Sequence, residues 1–200
     1  MSHDCNISIE NLGRPCPCGN NMSGVNTVYV TLKDYVSAIN ATSPEIIQTF
    51  ADKVTIGSSA MDKKAIETKT AKGFVSIFSA KDLGELKYTP QGSIIGCKSM
   101  KANLEIFHPG FKRKLLGFSS TAMNEELIII VKLNNGEYHL LGDIDRGAEL
   151  ADGSETTSGK ATTDNNGATL MFSYDTPAPQ IFYEGWNPND ETTGITFIEG

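Results

Sequence analysis

The chain has 200 residues, of which 17 are Lys or Arg and 24 are Asp or Glu, so its formal net charge is −7. This length suits one domain with a sizeable core. The acidic balance argues against broad nucleic-acid binding by the whole surface, and we expect no sequence-specific contact with nucleic acid. The longest apolar run, LIIIV at 127–131, is too short to span a bilayer, so we expect no membrane partner.

The first 24 residues differ in texture from the rest of the chain. They are polar, rich in Gly, Pro and Asn, and contain three of the four cysteines. We therefore interpret residues 1–24 as an irregular arm and residues 25–200 as a single β-rich domain. The arm has neither the basic nor the apolar region of a secretory signal, so we expect a soluble chain in the cytoplasm where it is made.

The arm also holds the residues most suggestive of chemistry, in the stretch RPCPCGNN at 14–21. Cys16 and Cys18, with His3 and Cys5, provide four nitrogen and sulfur ligands, enough in number for a tetrahedral zinc ion. PCPCGN resembles the opening of small zinc-binding modules, but no second Cys/His pair follows it. Because one intervening residue is also shorter than the usual ligand spacing, a turn shaped by proline and glycine is the favoured interpretation and no cofactor is expected.

The first half of the chain after the arm predicts strands and one helix. Alternation in NTVYVTL predicts a strand at 26–32 with one buried side, and SPEIIQTFADKV predicts a short helix at 43–54 with a serine N-cap. Residues 65–80 and 84–90 are strand-like. The first of these segments would place three side chains in the core, namely Phe74, Ile77 and Phe78.

Residues 92–107 contain a further strand, which would give Cys97 an apolar, buried environment. In the segment that follows, Phe111, Leu115, Leu116 and Phe118 are near helical spacing. Its two glycines limit this helix to about two turns.

The second half predicts two tandem hairpins. Residues 126–143 contain two strands joined at Asn135-Gly136, and residues 160–174 repeat the pattern at Asn166-Gly167. Asn-Gly between apolar runs is a strong hairpin signal because a tight primed turn needs positive φ at both central residues. The polar, Gly-rich segment 144–159 predicts a long loop, and residues 195–198 predict a short final strand.

Motifs for catalysis fail on spacing. GSETTSGKA at 153–161 has one residue too many for a phosphate loop, and the calcium-loop opening at Asp143 and Asp145 lacks its later ligands. A Cys97–His139 nucleophile pair is conceivable across the sheet, but His139 more readily packs or faces solvent. Since no acid/base constellation remains, the chain is not predicted to be an enzyme.

The second half resembles structural proteins of the tail-tube-like kind from tailed phages and prophages of Bacteroidetes. The matching pieces are NGEYHLLGD leading into RGAEL, SGKATTDNNGATL, and PAPQIFYEG, and the opening DCNISIENLGRPC is similar to that group's N-terminus. The resemblance implies a mainly β (α+β) fold, an antiparallel β-sandwich or barrel with one or two short flanking helices.

The same resemblance implies function and location. Such proteins assemble as homo-oligomeric rings, commonly hexamers, which stack into a tube and contact other virion tail proteins. The expected location is the bacterial cytoplasm during assembly and then the tail of the virion. An acidic chain suits a lumen through which DNA slides, because a negative wall repels phosphate.

Two other functions compete with this one. The first is a small carbohydrate- or protein-binding β-sandwich, with Phe182, Tyr183 and Trp186 as an aromatic platform, although ordinary core packing explains these residues better. The second is a domain stabilised by zinc through the N-terminal cysteines.

Overall fold

The computed structural model describes residues 23–40, 64–94, 97–161, 163–177, 179–182 and 186–198. The predicted helix at 43–54 lies outside these residues. So does nearly all of the predicted arm, with all four candidate zinc ligands, His3, Cys5, Cys16 and Cys18.

The described residues form twelve strands, one α-helix and one 3₁₀ turn at Lys33–Tyr35. The strands are β1 (Val25–Leu32), β2 (Val36–Ile39), β3 (Ile66–Thr68), β4 (Val75–Phe78), β5 (Gly84–Gln91), β6 (Ser99–Pro109), β7 (Leu127–Leu133), β8 (Tyr138–Leu141), β9 (Glu149–Leu150), β10 (Glu155–Thr157), β11 (Gly167–Thr176) and β12 (Gln180–Ile181). The helix α1 spans Arg113–Ala122, between β6 and β7.

The strands pair into two large antiparallel sheets and one small one. The first sheet has the order β12-β8-β7-β1-β4, and the second has the order β10-β11-β6-β5 with β9 also paired to β11. β2 and β3 form the separate two-stranded sheet. The prediction of a mainly β, antiparallel sandwich is confirmed, and in the described part of the chain both large sheets remain open rather than closing into a barrel.

The main core lies between the two large sheets. Val28, Val30, Ile129 and Val131 from the first sheet belong to the same buried cluster as Leu104, Ile106, Leu170 and Phe172 from the second. The helix α1 contributes Leu115 and Ala122 to this cluster. Alternate residues of each strand therefore point inward, as expected for a sandwich.

A second core covers the opposite face of the first sheet. Tyr29, Ile128 and Ile130 pack there against Ile66 and Phe74, with Trp186 and Ile195 in the same cluster. The prediction that β1 has one buried side was therefore wrong, because Tyr29 and Thr31 are buried as well. The residues that cover this face come from distant parts of the chain, so the alternation within β1 could not predict that the face is buried.

The helix α1 is longer than its glycines suggested. It runs for ten residues with Gly117 in its interior, where no atom beyond the helix backbone and the two adjacent residues lies within 4 Å of the position that a Cβ would occupy. Leu115 is buried, but Leu116 is exposed and Phe111 precedes the helix in an exposed position. The tolerated glycine lowers helix propensity without ending the helix.

The hairpin at Asn135-Gly136 is confirmed, with a different turn. The Gly136 N–H donates to Leu133 O at 3.1 Å and the Leu133 N–H donates to Glu137 O at 2.9 Å, so three residues form the loop. Only Gly136 of these has positive φ, at +96°. This geometry is typical of a type I turn closed by a left-handed glycine rather than of a primed turn.

The second predicted hairpin was wrong in position. Asn166-Gly167 is not a turn between two strands, because Gly167 begins β11 and pairs with Thr157 of β10 and Pro109 of β6. The actual hairpin joins β10 to β11 across residues 158–166. Glycine is needed at 167 since a Cβ there would lie 2.2 Å from His108 O.

Four further predictions need correction. Phe78 is 61% exposed at the end of the edge strand β4, whereas Phe74 and Ile77 are buried as expected. Cys97 is exposed between β5 and β6. The predicted loop at 144–159 contains the short strands β9 and β10, and the tail forms a single parallel bridge between Phe197 and Phe74 instead of a strand.

Candidate assembly surface

The second sheet ends in a long strand with one unpaired side. β5 pairs with β6 over all eight residues, and no strand of the described part of the chain pairs with its other side. We call this side the β5 edge. An edge of this length exposes a row of backbone donors and acceptors, which is a template for pairing with another chain.

Side chains of β5 alternate between the sandwich core and solvent. Leu86 and Tyr88 pack partly against the main core. Glu85, Lys87 and Thr89 are exposed on the outer face of the sheet. Glu85 and Lys87 form an ion pair of 3.2 Å, with both side chains more than 60% exposed, so this pair contributes little to stability.

The inner side of β5 is fixed by a polar contact across the sandwich. The Tyr88 hydroxyl lies 3.0 Å from Nδ1 of His139, a buried residue of β8. Burial raises the pKa of Tyr88 well above its ordinary value. His139 thus packs inside the sandwich, as one of the two sequence-based alternatives expected, and its Nδ1 engages a tyrosine rather than Cys97.

An open groove lies beside the first half of the β5 edge. It has a volume of about 500 Å³ and is lined by Leu86 and by Leu133 of β7, with Asp82 and Glu85 also among its lining residues. Ser23, the first described residue, also lines it. The groove therefore offers apolar area directly beside unpaired backbone.

The opposite edge of the second sheet is made of two short strands. β10 pairs with residues 167–169 of β11, and β9 pairs with residues 172–173. The Ala151 N–H continues this pairing by donating to Met171 O at 2.7 Å. Among the described residues, the sheet thus has an unpaired edge at each end, a long one on one side and a segmented one on the other.

The outer face of the second sheet is polar. Strand alternation and register place Glu85, Glu105 and Met171 in one row, and Lys101 beside Asp175 in another. Lys87, Asn103 and Ser173 form the row between them. This face is solvated, in contrast to the first sheet, which is buried on both sides.

Asp143, which precedes the segment 144–159, has a structural role. Asp143 Oδ1 accepts the backbone N–H groups of Asp145 at 2.8 Å and Arg146 at 2.6 Å, and Oδ2 accepts the Tyr174 hydroxyl at 2.6 Å. Burial, reinforced by this hydrogen bond to Asp143, raises the pKa of Tyr174. No group of three or more His, Cys, Asp or Glu is placed to hold a metal ion among the residues that the structure describes.

The aromatic residues near the C-terminus belong to the second core. Phe182 and Trp186 are 4% and 3% exposed, and their rings stack with centroids 4.1 Å apart. The Trp186 Nε1–H donates to Thr193 O at 3.1 Å. The expectation of core packing is confirmed for these two residues, which present no platform to a ligand, while Tyr183 lies outside the described residues.

Sequence reasoning did not single out the β5 edge. The local signal was present in the alternation of Glu85, Lys87 and Thr89 with Leu86 and Tyr88. That alternation predicts a strand with one solvated face, but it does not distinguish an edge strand from a central one. Edge position depends on the pairing of β6 with β11, which is not encoded near β5.

No family model, curated protein or solved structure matches this chain. Within the described ranges, no helix is long and apolar enough to cross a membrane.

Proposed function

We propose that this protein is a structural subunit of a phage or prophage particle, of the tail-tube-like kind, which assembles into rings or a tube. The observation that carries the proposal is the second sheet, which has a solvated outer face and two edges that pair with no further strand of the described ranges. In a closed ring each subunit must offer two different surfaces to its neighbours. The β5 edge and the edge formed by β9 and β10 are two such surfaces.

The outer face of the second sheet then lines the lumen. By strand register, its charged side chains are the acids Glu85, Glu105, Glu149, Glu155 and Asp175 against Lys87 and Lys101. Arg146 pairs with Asp175 at 3.3 Å, so the face is polar without a basic surplus. Because the chain also has a net charge of −7, a lumen lined by this face would be hydrated and would attract DNA only weakly. The sequence resemblance to tail-tube-like proteins supports the same assignment.

Assembly is tested on the purified full-length chain by sedimentation velocity and negative-stain electron microscopy. Rings of uniform diameter, or tubes built from them, are expected. A chain that forms no closed oligomer larger than a dimer at any concentration contradicts the proposal. Genes for a tape-measure protein, portal or terminase beside its own gene are expected as well.

A matched pair of variants tests the lumen assignment. Glu105→Lys changes the charge on the outer face of the second sheet, and Glu125→Lys makes the same change at an exposed position after α1. If the outer face lines the lumen, rings of Glu105→Lys retain double-stranded DNA at low salt and rings of Glu125→Lys do not. Equal retention by both variants places the lumen elsewhere.

A further inference from the structure

The β5 edge carries a charge pattern that is complementary to itself. When two antiparallel strands extend one sheet, residues directly opposite each other lie on the same face. If Leu86 lies opposite Leu86 of a second copy, then Glu85 lies opposite the second copy's Lys87, and Lys87 lies opposite its Glu85. The two-fold axis through Leu86 thus creates two opposite-charge pairs from one Glu and one Lys.

Neighbouring registers lack this complementarity. A shift that keeps the outer faces aligned moves the axis by one residue along each strand. An axis at residue 85 places Glu85 against itself, and an axis at residue 87 places Lys87 against itself. Like charges directly opposite each other are destabilising, so the register centred on Leu86 is selected over both neighbours.

This register also sets which other residues meet across the edge, although the Gly84 end is already bordered within each chain by Gly24, where a Cβ would lie 3.7 Å from Gly84 O. Residues 84–88 of one copy lie opposite residues 88–84 of the other, which brings Gly84 opposite Tyr88. Pro90, which has no N–H to donate, falls outside this paired segment. Asp82, which has a φ of +62°, ends the extended backbone on the other side.

Apolar surface beside the edge gives the pairing a hydrophobic component. Leu83 is 49% exposed just before β5, and Phe78 is 61% exposed at the end of β4. The groove of about 500 Å³ lined by Leu86 and Leu133 opens along the edge. Leu86 of a second copy, which points to the same side of the sheet, enters the space beside this groove.

We propose that two copies of the chain pair in solution through the β5 edge, antiparallel and centred on Leu86, with Glu85 and Lys87 exchanging their ion pair between copies. Because both side chains are exposed, little is lost when the pair within each chain opens. The five strands of the second sheet in each copy then form one continuous sheet. Edge lysines normally discourage pairing, but here each Lys87 meets an acid.

The pairing itself is argued without the proposed function. Its role as a control on ring assembly rests on that function. A subunit paired through the β5 edge cannot offer that edge to a ring neighbour. The two-fold pair is therefore the form of the free subunit before assembly. Ring formation needs the pair to open, so it becomes sensitive to the stability of these few contacts.

Charge reversal tests the register. Glu85→Lys alone and Lys87→Glu alone each convert both cross-strand pairs into like-charge pairs, and we expect each to weaken dimerisation by about ten- to a hundredfold. The double variant Glu85→Lys with Lys87→Glu restores both pairs and restores the dimer. Sedimentation equilibrium gives the dissociation constants, and circular dichroism confirms that the surface changes leave the fold intact.

Mixing distinguishes a two-fold contact from a head-to-tail one. A mixed pair of wild type and double variant faces Glu against Glu and Lys against Lys, so the two species are expected to self-sort. Because the exchange leaves the mass unchanged, one species is labelled with ¹⁵N and the pairs are counted by native mass spectrometry. Free mixing, a monomeric wild type, or single variants that dimerise like wild type each overturn the proposal.

The outcome for the dimer is separable from the outcome for the rings. Rings seen by microscopy without any two-fold pair in solution refute this inference and leave the proposed function standing. A self-sorting dimer that never forms rings supports this inference and refutes the proposed function.

Discussion

Replacement of Trp186 by alanine tests the second core most directly. Trp186 is 3% exposed, stacks on Phe182, and meets the Tyr138 ring edge-on with centroids 5.0 Å apart. Truncation of a buried Trp to Ala costs about 3–5 kcal/mol through lost transfer energy and the cavity left behind. The Thr193 carbonyl also loses the indole N–H that donates to it, which adds about 1 kcal/mol. We expect a loss of about 4–6 kcal/mol in the free energy of unfolding.

The matched control is Trp186→Phe, which keeps an aromatic ring against Phe182 and removes the N–H donor. Its expected cost is about 1–2 kcal/mol. Urea unfolding followed by far-UV circular dichroism suits both variants, because Trp186 is the chain's single tryptophan and its fluorescence is lost with it. A Trp186→Ala protein within about 1 kcal/mol of wild type refutes the buried role. Glycan binding that this variant loses without destabilisation supports the aromatic platform instead.

Two other predictions concern the main sandwich. Tyr174 has a raised pKa in the fold, first through burial and then through Asp143, so its stabilising effect is complete below the unfolded pKa of about 10 and is lost as pH rises toward the folded value. Tyr174→Phe should therefore flatten the alkaline limb of the stability–pH curve, and an unchanged limb contradicts this. Gly117→Ala, at an open position inside α1, should stabilise by about 0.5–1 kcal/mol in urea unfolding. Gly142→Ala should destabilise, because φ is +104° and a Cβ would lie 2.8 Å from Ile128 Cδ1; equal effects of the two alanines refute the argument.

Local sequence patterns predicted the strands and hairpins of this fold better than they predicted which residues are buried and how the strands pair. The hairpin of β7 and β8 followed from apolar runs around Asn135-Gly136, because chain reversal there is a matter of a few residues. The same dipeptide at Asn166-Gly167 misled, since Gly167 is required by the close approach of His108 O and not by a turn. Close approach of a distant backbone segment is a property of the tertiary structure, and the neighbouring residues in the sequence do not predict it.

The errors about burial have a common physical origin. Tyr29 was assigned to an exposed side because residues 64–74 and 186–195, which cover it, are distant in sequence. Phe78 was assigned to the core because it is apolar, although it ends an edge strand where no further strand in the described part of the chain covers it. The candidate assembly surface was missed for the same reason: pairing order decides which strands are edges, and pairing order is non-local.

The apolar run in β7 affects how strictly the pairing register of this strand is determined. Leu127, Ile129 and Val131 face the main core while Ile128 and Ile130 face the second core, so five consecutive residues are apolar and buried. In most strands a slip by one residue is penalised because it exchanges a polar face for an apolar one. Within this run a slip exchanges one branched aliphatic side chain for another of similar size, and the penalty is small.

The register of β7 must therefore be held at its end. Lys132 lies over the Tyr138 ring at 5.5 Å from its centroid, and a slip of one residue would carry its ammonium to the sandwich side. In the loop that follows β7, Gly136 has the positive φ that the three-residue loop requires. A shifted loop would place Asn135 or Glu137 in that conformation, which is unfavourable for a residue with a Cβ. Two residues beyond the apolar run thus keep the central strand of both cores in its single alignment.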